Sequence, residues 1–445
     1  MFKSVDEGFA YLESFVNTER GGFKPRNWRL SRMRELLEDF GNPQLACRTI
    51  HVAGSKGKGS TACFAAHILS SAGERVGLYS SPHVVTYRER IQVLGGSPSD
   101  AIFLDQFSAI HRYVHEKRQT VPEPQLPTTF ELLTLLAFLC FRASECTVSV
   151  IEVGLGGRLD ATSLIRPQCC VITPIEYEHT EYLGTTLRSI AGEKGAIMRD
   201  GVPAYSSLQQ PEAESTLRRI AELRDAPFRT LRDEIPEINA SLTSNGTECR
   251  FRLPDGGEIR SHLRMLGRVQ ANNAALATLA ARVVRPDLTP GIISSGLSRA
   301  VLPGRSEVLP GNPALLLDGA HTPQSIKLLA ETVSEICPVR ERRTLIFGSV
   351  AGKRYQEMLQ ALVPLFSRVI ICRPGTFKPS DPELLMNAVS DLGVPPLRED
   401  DGKRALALAG SDPATKLIVA TGSFYLVGKI RAAAQPTDTH TQALS

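Results

Sequence analysis

Thr49-Ile50-His51-Val52-Ala53-Gly54-Ser55-Lys56-Gly57-Lys58-Gly59-Ser60 decides the fold. Residues 49–53 are a short, mostly apolar and β-branched run of the kind that makes a buried strand. Residues 54–59 then interleave glycine with serine and lysine, ahead of a helical stretch from Ser60 to Ala72. Strand, glycine-rich loop and helix in that order bring backbone N–H groups and a helix N-terminus to one point, which suits a bound phosphate. Lys58 then reaches the β- and γ-phosphates. The spacing departs from Gly-x4-Gly-Lys-[Ser/Thr], because Val52 stands at the first glycine position and Gly59 separates Lys58 from Ser60. A second, less favoured reading of such a loop, taken alone, is an ordinary flexible turn.

Outward from that loop the same alternation recurs. Strands are predicted near Val76 to Tyr79, Thr147 to Val153 and Cys169 to Thr173, with helical stretches such as Thr129 to Phe141 and Thr186 to Met198 between them. This alternation predicts an α/β fold on a parallel sheet. Two amphipathic helices, Val5 to Val16 and Leu30 to Phe40, precede it. Residues 237–265 break the rhythm with Asn245-Gly246 and Asp255-Gly256-Gly257 turn signals and predict a small hairpin excursion, followed by a helix from Gln270 to Val283. Pro303-Gly304 and Pro310-Gly311 mark a hinge. After it a second strand–helix series begins, with strands at Ala314 to Leu317, Thr344 to Phe347, Arg368 to Ile371 and Leu417 to Ala420. The expected division is therefore 1–302, 303–434 and a polar, disordered tail 435–445.

Composition narrows the class. The 445 residues are too many for one continuous core, and 51 Lys plus Arg against 47 Asp plus Glu leave a net charge of only +4. No nucleic-acid partner is expected, so any anion site is local. The longest strongly apolar run, Leu132 to Phe141, is about half a membrane span, and acids in the first residues do not suit a signal peptide. A cytoplasmic protein without a membrane partner is expected. Nine scattered cysteines without a Cys-x-x-Cys pair read as buried thiols.

Chemistry-bearing residues stand at several strand ends. Ser80-Ser81-Pro82-His83 follows one strand, Glu152 closes another ahead of Gly154-Leu155-Gly156-Gly157-Arg158-Leu159-Asp160, and Glu176-Tyr177-Glu178-His179 follows a third. Ligands of an open parallel sheet gather at the carboxyl ends of its strands, so Lys58, Ser81, Glu152 and His179 converge on one crevice in this reading. Hydroxyl, carboxylate and imidazole beside phosphates suit magnesium. Singly each is weak, since an isolated histidine is commonly surface or core and a strand-end glutamate is often a helix cap.

With His51 to Ser60, these segments, together with Glu152 to Thr162, His179-Thr180-Glu181-Tyr182-Leu183-Gly184, Glu193-Lys194, Pro303-Gly304-Arg305 and Leu317-Asp318-Gly319-Ala320-His321, resemble the folylpolyglutamate synthase and dihydrofolate synthase family of Mur ligases. The resemblance covers most of the chain. It implies a P-loop-type ATPase domain with a parallel sheet and a smaller Rossmann-like C-terminal domain that closes over ATP and magnesium, two ions per site. The implied ATP contacts are Gly54, Ser55, Lys56, Gly57, Lys58, Gly59, Ser60, Asn273, Arg305, Asp318 and His321. The implied metal set is Ser60, Ser81, Glu152 and His179. Lys58, Glu152, His179 and Lys194 are the implied catalytic residues, Lys194 as a carbamate-bearing lysine. Ser81, Pro82, His83, Thr129, Phe130, Arg158 and Asp160 are implied for the pterin or folate, with Phe130 stacking on its flat ring. Arg88, Arg90 and Arg158 read as contacts to anionic glutamate or, equally, as solvated or structural arginines.

The implied reaction joins L-glutamate to dihydropteroate or a reduced folate through an acyl phosphate, in a monomer. Two alternatives stand beside it: a Mur-type amide ligase diverged to another carboxylate and amino acid, and a non-catalytic nucleotide-binding protein. Several positions depart from the family pattern: Lys56 for Asn, Glu178 for Asp, Val269 for His, Thr322 for Asn, Ser163 for Asn, and the order Lys194-Gly195-Ala196. Lys56 adds positive charge beside bound phosphates.

Overall fold

A computed structural model describes residues 2–17, 30–96, 98–376 and 378–434. The expected tail 435–445 lies outside the described residues, as does most of the basic stretch before residue 30. The first sheet holds β1 (Arg48–Ala53), β2 (Val76–Tyr79), β3 (Ile91–Leu94), β4 (Val148–Glu152), β5 (Cys169–Ile172), β6 (Ala204–Ser206) and β7 (Phe228–Thr230), in the order β3-β2-β4-β1-β5-β6-β7. All neighbours are parallel except β2 and β3, whose antiparallel pairing closes one edge. The strongly apolar central strands match the sequence reading within a residue or two. β3, β6 and β7 lie at or near the edges, and their short runs of three or four residues carry too little pattern to be singled out.

Helices cover both faces, which is why β4 is buried along its whole length and reads as a continuous apolar run. On one face lies α3 (Lys58–Ser71), buried on nearly every side by helices Arg268–Val284 and Pro290–Arg299. The other face carries α1 (Val5–Glu13), α2 (Leu30–Asp39), α4 (Asp100–Lys117) and α5 (Thr129–Ala143), around Phe9, Phe103, Phe107 and Leu136. Further on, α6 (Thr180–Leu183) and α7 (Leu187–Gly195) follow β5. Residues 237–265 hold three antiparallel strands, β8 (Ile238–Thr243), β9 (Gly246–Arg252) and β10 (Glu258–Leu263), one more than a hairpin needs. Phe251, Ile259 and Leu263 turn inward from them to the α3 core.

The last sheet contains β11 (Glu307–Leu309), β12 (Ala314–Leu317), β13 (Arg343–Phe347), β14 (Arg368–Ile371), β15 (Leu397–Arg398) and β16 (Leu417–Thr421), in the order β11-β12-β16-β13-β14-β15. Only β11 runs antiparallel to its neighbour. This sheet has its own core around Leu316, Phe347, Met358 and Phe366. It meets the first unit where Gly428 packs on the carbonyl of Val84, so closely that a Cβ there would overlap it, and where Gly304 abuts Val84 and Val427.

Candidate active site

β2, β4, β1 and β5 are consecutive in the first sheet, so their carboxyl ends span only about 15 Å at the usual strand spacing. The loop after β1 is held from one side. Ser55 N–H donates to Pro174 O (2.8 Å), and the Ser55 hydroxyl donates to Glu176 O (3.1 Å) while accepting from Glu176 N–H (3.0 Å). Gly54, at φ 145°, passes so close to Thr173 that any Cβ would overlap its hydroxyl. Gly57, in the left-handed region at φ 80°, caps α3. Lys58, Gly59 and Ser60 thus form the first turn of α3, with their amides at its positive end. Lys58 Nζ donates to Gly54 O (3.0 Å) and lies within electrostatic reach of both Glu152 and Glu178.

Glu152 is only 3% exposed. Its carboxylate faces Gly59 at the head of α3, and its Oε2 accepts from the Ser81 amide (3.0 Å). Burial pushes its pKa up, against the pull of Lys58, Arg305 and Arg90. Oε1 accepts no hydrogen bond among the described residues, and the carboxylate lines a cavity of about 10 Å³ with Ser81 and Arg305, on the order of one bound water. A buried carboxylate with a spare oxygen fits a hard cation, with the neighbouring Ser60 and Ser81 hydroxyls as further oxygen donors. His179 stands after β5, beside the Glu178–Lys194 pair. Its exposed ring, at the left-handed turn φ 48°, is surrounded by Glu178, Glu181, Lys194 and Lys58. No three His, Cys, Asp or Glu side chains cluster closely enough for a metal among the described residues.

Lys194, 2% exposed, donates to Glu178 Oε1 (2.9 Å) and Gly54 O (2.8 Å), tying α7 to both loops. Burial pulls its pKa down to about 8, only partly opposed by Glu178. Burial alone would raise Glu178, but Lys194, Lys58 and Lys56 hold it down to about 2. The unusual Lys56 therefore faces a carboxylate pair, Glu178 and Glu176, as well as Lys58 and Arg305.

From the second unit, the Arg305 guanidinium stacks 3.8 Å above the Phe424 ring and faces Glu152 and Asp318. Asp318 accepts from Ser306 N–H (2.8 Å), the Ser306 hydroxyl (2.7 Å) and Ala320 N–H (2.8 Å), so it shapes the turn that presents Arg305 and His321. His321 Nδ1 donates to Gly319 O (2.8 Å), which leaves Nε2 as an acceptor; burial, then Lys56, lowers its pKa to about 3. Asn273 stands against Gly57 and donates to Gln270 Oε1 (3.0 Å), so it sits beside the phosphate loop.

The residues expected at a pterin divide into two groups. Ser81, the exposed Pro82 and His83 lie together at the end of β2, and His83 receives the Arg90 Nε donor (2.9 Å) and packs 4.1 Å from the Tyr87 ring. Phe130 is half-buried and lies over Gly154. Thr129, by contrast, is buried with its hydroxyl donated to Phe15 O (3.1 Å), which anchors the chain after α1. Asp160 is also buried: it accepts from Thr162 Oγ1 (2.6 Å) and Leu155 N–H (3.0 Å) and so closes the glycine-rich turn. Arg158 is exposed and forms an ion pair with Glu193 (2.7 Å), and Arg88 pairs with Asp100 (2.8 Å). Of the other departures, Thr322 caps helix Pro323–Ile336, a role asparagine fills equally well. The Ser163 hydroxyl bonds Gly157 O. Nothing in the structure explains Val269, which is exposed.

Lys353 was missed by sequence reading. It follows β13 and faces Glu178 and Glu181 across the cleft, near Lys378, and burial lowers its pKa. Its only signal is a lysine just past a strand end of the second series.

The Mur ligase middle domain matches residues 52–281, and the Mur ligase glutamate ligase domain matches residues 304–424. The chain is 33% identical to the dihydrofolate synthase/folylpolyglutamate synthase of Bacillus subtilis, over 92% of this chain and 95% of that protein. It superposes on the crystal structure of folylpolyglutamate synthase from Thermotoga maritima with a TM-score of 0.84 at 29% identity, over 96% of each chain. It also superposes on an FPGS–AMPPCP–folate complex with a TM-score of 0.81 at 29% identity, over 97% of this chain and 99% of that one. Matched in sequence and in fold along nearly its whole length, the chain belongs to the folylpolyglutamate synthase and dihydrofolate synthase family of Mur ligases.

Proposed function

We propose that this protein uses ATP to join L-glutamate to the carboxylate of dihydropteroate, of a reduced folate, or of both. The observation that carries this is the convergence of Lys58, Glu152 and the Glu178–Lys194 pair on one cleft, faced by Arg305 and His321 from the second sheet. The names of the relatives and the nucleotide and folate in a related complex support the same substrates. We take residues 1–302 and 303–434 as the two working units, the protein as a cytoplasmic monomer, and the pterin as lying near Ser81, Pro82, His83 and Phe130.

A carboxylate is a poor acylating agent. ATP phosphorylates it, and the amine of glutamate attacks the acyl phosphate and expels phosphate. Lys58 and the α3 amides stabilise charge on the transferring phosphoryl group. Magnesium, held by Ser60, Ser81 and Glu152, would add Lewis-acid stabilisation when bound. His321 Nε2 accepts a hydrogen bond from the nucleotide, and Asn273 contacts it beside Gly57. Arg305 lies where it neutralises phosphate charge, while Lys194, with His179 nearby, holds the side of the cleft opposite Glu152. Closure of the second unit keeps water from the acyl phosphate.

Purified protein is expected to release phosphate from ATP only when a pteroate or folate acceptor and L-glutamate are both present. Release stimulated by another carboxylate and amino acid, but by no pteroate or folate, would overturn the folate reading and favour a diverged amide ligase.

A further inference from the structure

A second cavity, of about 260 Å³, opens at the opposite end of the first sheet's strands. It is lined by Arg34 and Glu38 of α2, Asn42 and Gln44 of the turn before β1, and Arg166 before β5. These segments feed the amino ends of β1 and β5, whereas the phosphate loop leaves the carboxyl end of β1. The six residues of β1 put the two sites roughly 17 Å or more apart.

Three features mark this cavity as a binding site. Arg34 and Arg166 form no ion pair or hydrogen bond among the described residues, so both guanidiniums are free for an occupant. Gln44 is only 7% exposed, and while its Nε2 donates to Asn42 Oδ1 (3.1 Å), its Oε1 has no partner among the described residues. A buried, unsatisfied carboxamide oxygen carries a desolvation cost of about 1–3 kcal/mol that a donor from an occupant, or a small turn of the side chain toward one, would relieve. The volume equals the liquid share of roughly nine waters, room for a compact molecule of about ten heavy atoms.

Charge selects the class. Two guanidiniums match two carboxylates or a phosphate, and the planar forks of arginine suit either. Glu38 decides between them. A carboxylate in the wall repels a phosphate dianion but pairs with an ammonium, so the lining carries one net positive charge and complements a zwitterion of net charge −1. We propose that this cavity binds an α-amino dicarboxylate of the size of L-glutamate, its carboxylates on Arg34 and Arg166 and its ammonium on Glu38. The site is separate from the reaction cleft and does not depend on the ligase reading. Because α2 packs on the 161–164 turn that follows Asp160, an occupant held by Arg34 and Arg166 joins α2 to the segment just after that turn.

Equilibrium dialysis of the full chain with labelled L-glutamate, without nucleotide or folate, tests this. Wild type is expected to bind at millimolar concentration or below, and R34A/R166A at least about tenfold more weakly. Arg166→Ala alone, which leaves α2 untouched, should shift binding in the same direction. Both arginines are exposed, so melting temperatures should not move. E38Q should weaken L-glutamate and strengthen glutarate, a dianion that lacks the ammonium and is repelled by the native Glu38. Binding equal to wild type in R34A/R166A, no binding at millimolar concentration, or displacement by inorganic phosphate as readily as by L-aspartate would each overturn the proposal.

Discussion

Replacing Glu178 with glutamine isolates the buried Lys194 ammonium, and the resulting loss of stability has a calculable pH dependence. In the wild type, Lys194 holds its proton up to about 8, below its ordinary 10.5, because burial outweighs the attraction of Glu178. Without that carboxylate, burial and the charges of Lys58 and Lys56 push the pKa lower still, and the side chain sheds its proton in the folded protein. The loss of stability is then bounded by the work of removing that proton from the native pair. For a pKa of about 8, this work is about 3 kcal/mol at pH 6, about 1 kcal/mol at pH 7 and close to zero at pH 9, where wild-type Lys194 is itself mostly neutral. The sign follows from the direction of the shift: a lysine depressed in the fold is charged in both states below pH 8, and only there does its partner matter. Melting curves of wild type and E178Q at pH 6, 7 and 9 should therefore converge as pH rises. A gap that stays constant or widens toward pH 9 would refute the assignment of Glu178 as the counter-charge of Lys194.

Lys58→Ala should lower kcat by roughly 100-fold or more while leaving the melting temperature nearly unchanged, since among the described residues its ammonium bonds only the loop carbonyls of Gly54 and Ser55; near-normal turnover would remove it from the phosphate site. Gly54→Ala should fail on both counts, because the φ of 145° and the overlap with Thr173 leave no room for a Cβ; a melting temperature equal to wild type refutes this. The amine of Lys194 becomes neutral near pH 8, and only a neutral amine captures carbon dioxide, with release of a proton. Carbon-13 NMR with labelled bicarbonate should therefore show a carbamate signal that grows from pH 7 to pH 9 and is absent in Lys194→Arg. A signal that persists in the arginine variant would place the carbamate elsewhere.

The sheet and its phosphate loop were legible because β1, β4 and β5 are buried on both faces and write that burial as unbroken apolar runs. Once those strands are parallel neighbours, Ser81, Glu152, Lys58 and His179 must come out at one edge. Edge strands such as β15, only two residues long and exposed, leave no such trace. The direction of individual side chains was not legible either. Thr129 sits one residue from Phe130 yet turns its hydroxyl to Phe15, because its helix starts there with a capping box between Thr128 and Glu131. Partnership between side chains was equally hidden: that Glu178 meets Lys194 depends on how α7 folds back against the loop after β5, and that Lys353 faces both Glu178 and Glu181 depends on how two separately folded sheets are set against each other.

The close contact of Gly428 and Gly304 with Val84 would be the fixed point of any rotation of the second sheet against the first. Arg305 follows Gly304 directly, so rotation of the second sheet about that point leaves its guanidinium close to Glu152 throughout. Lys353 leaves β13, two strands and about 10 Å beyond β12, at the end of a longer lever arm. A rocking motion of a few degrees therefore changes the side of the cleft near Glu178 and Glu181 most and the side near Glu152 least. Under such a rotation, one wall would stay assembled around the phosphates while the other would open for the amine and the product.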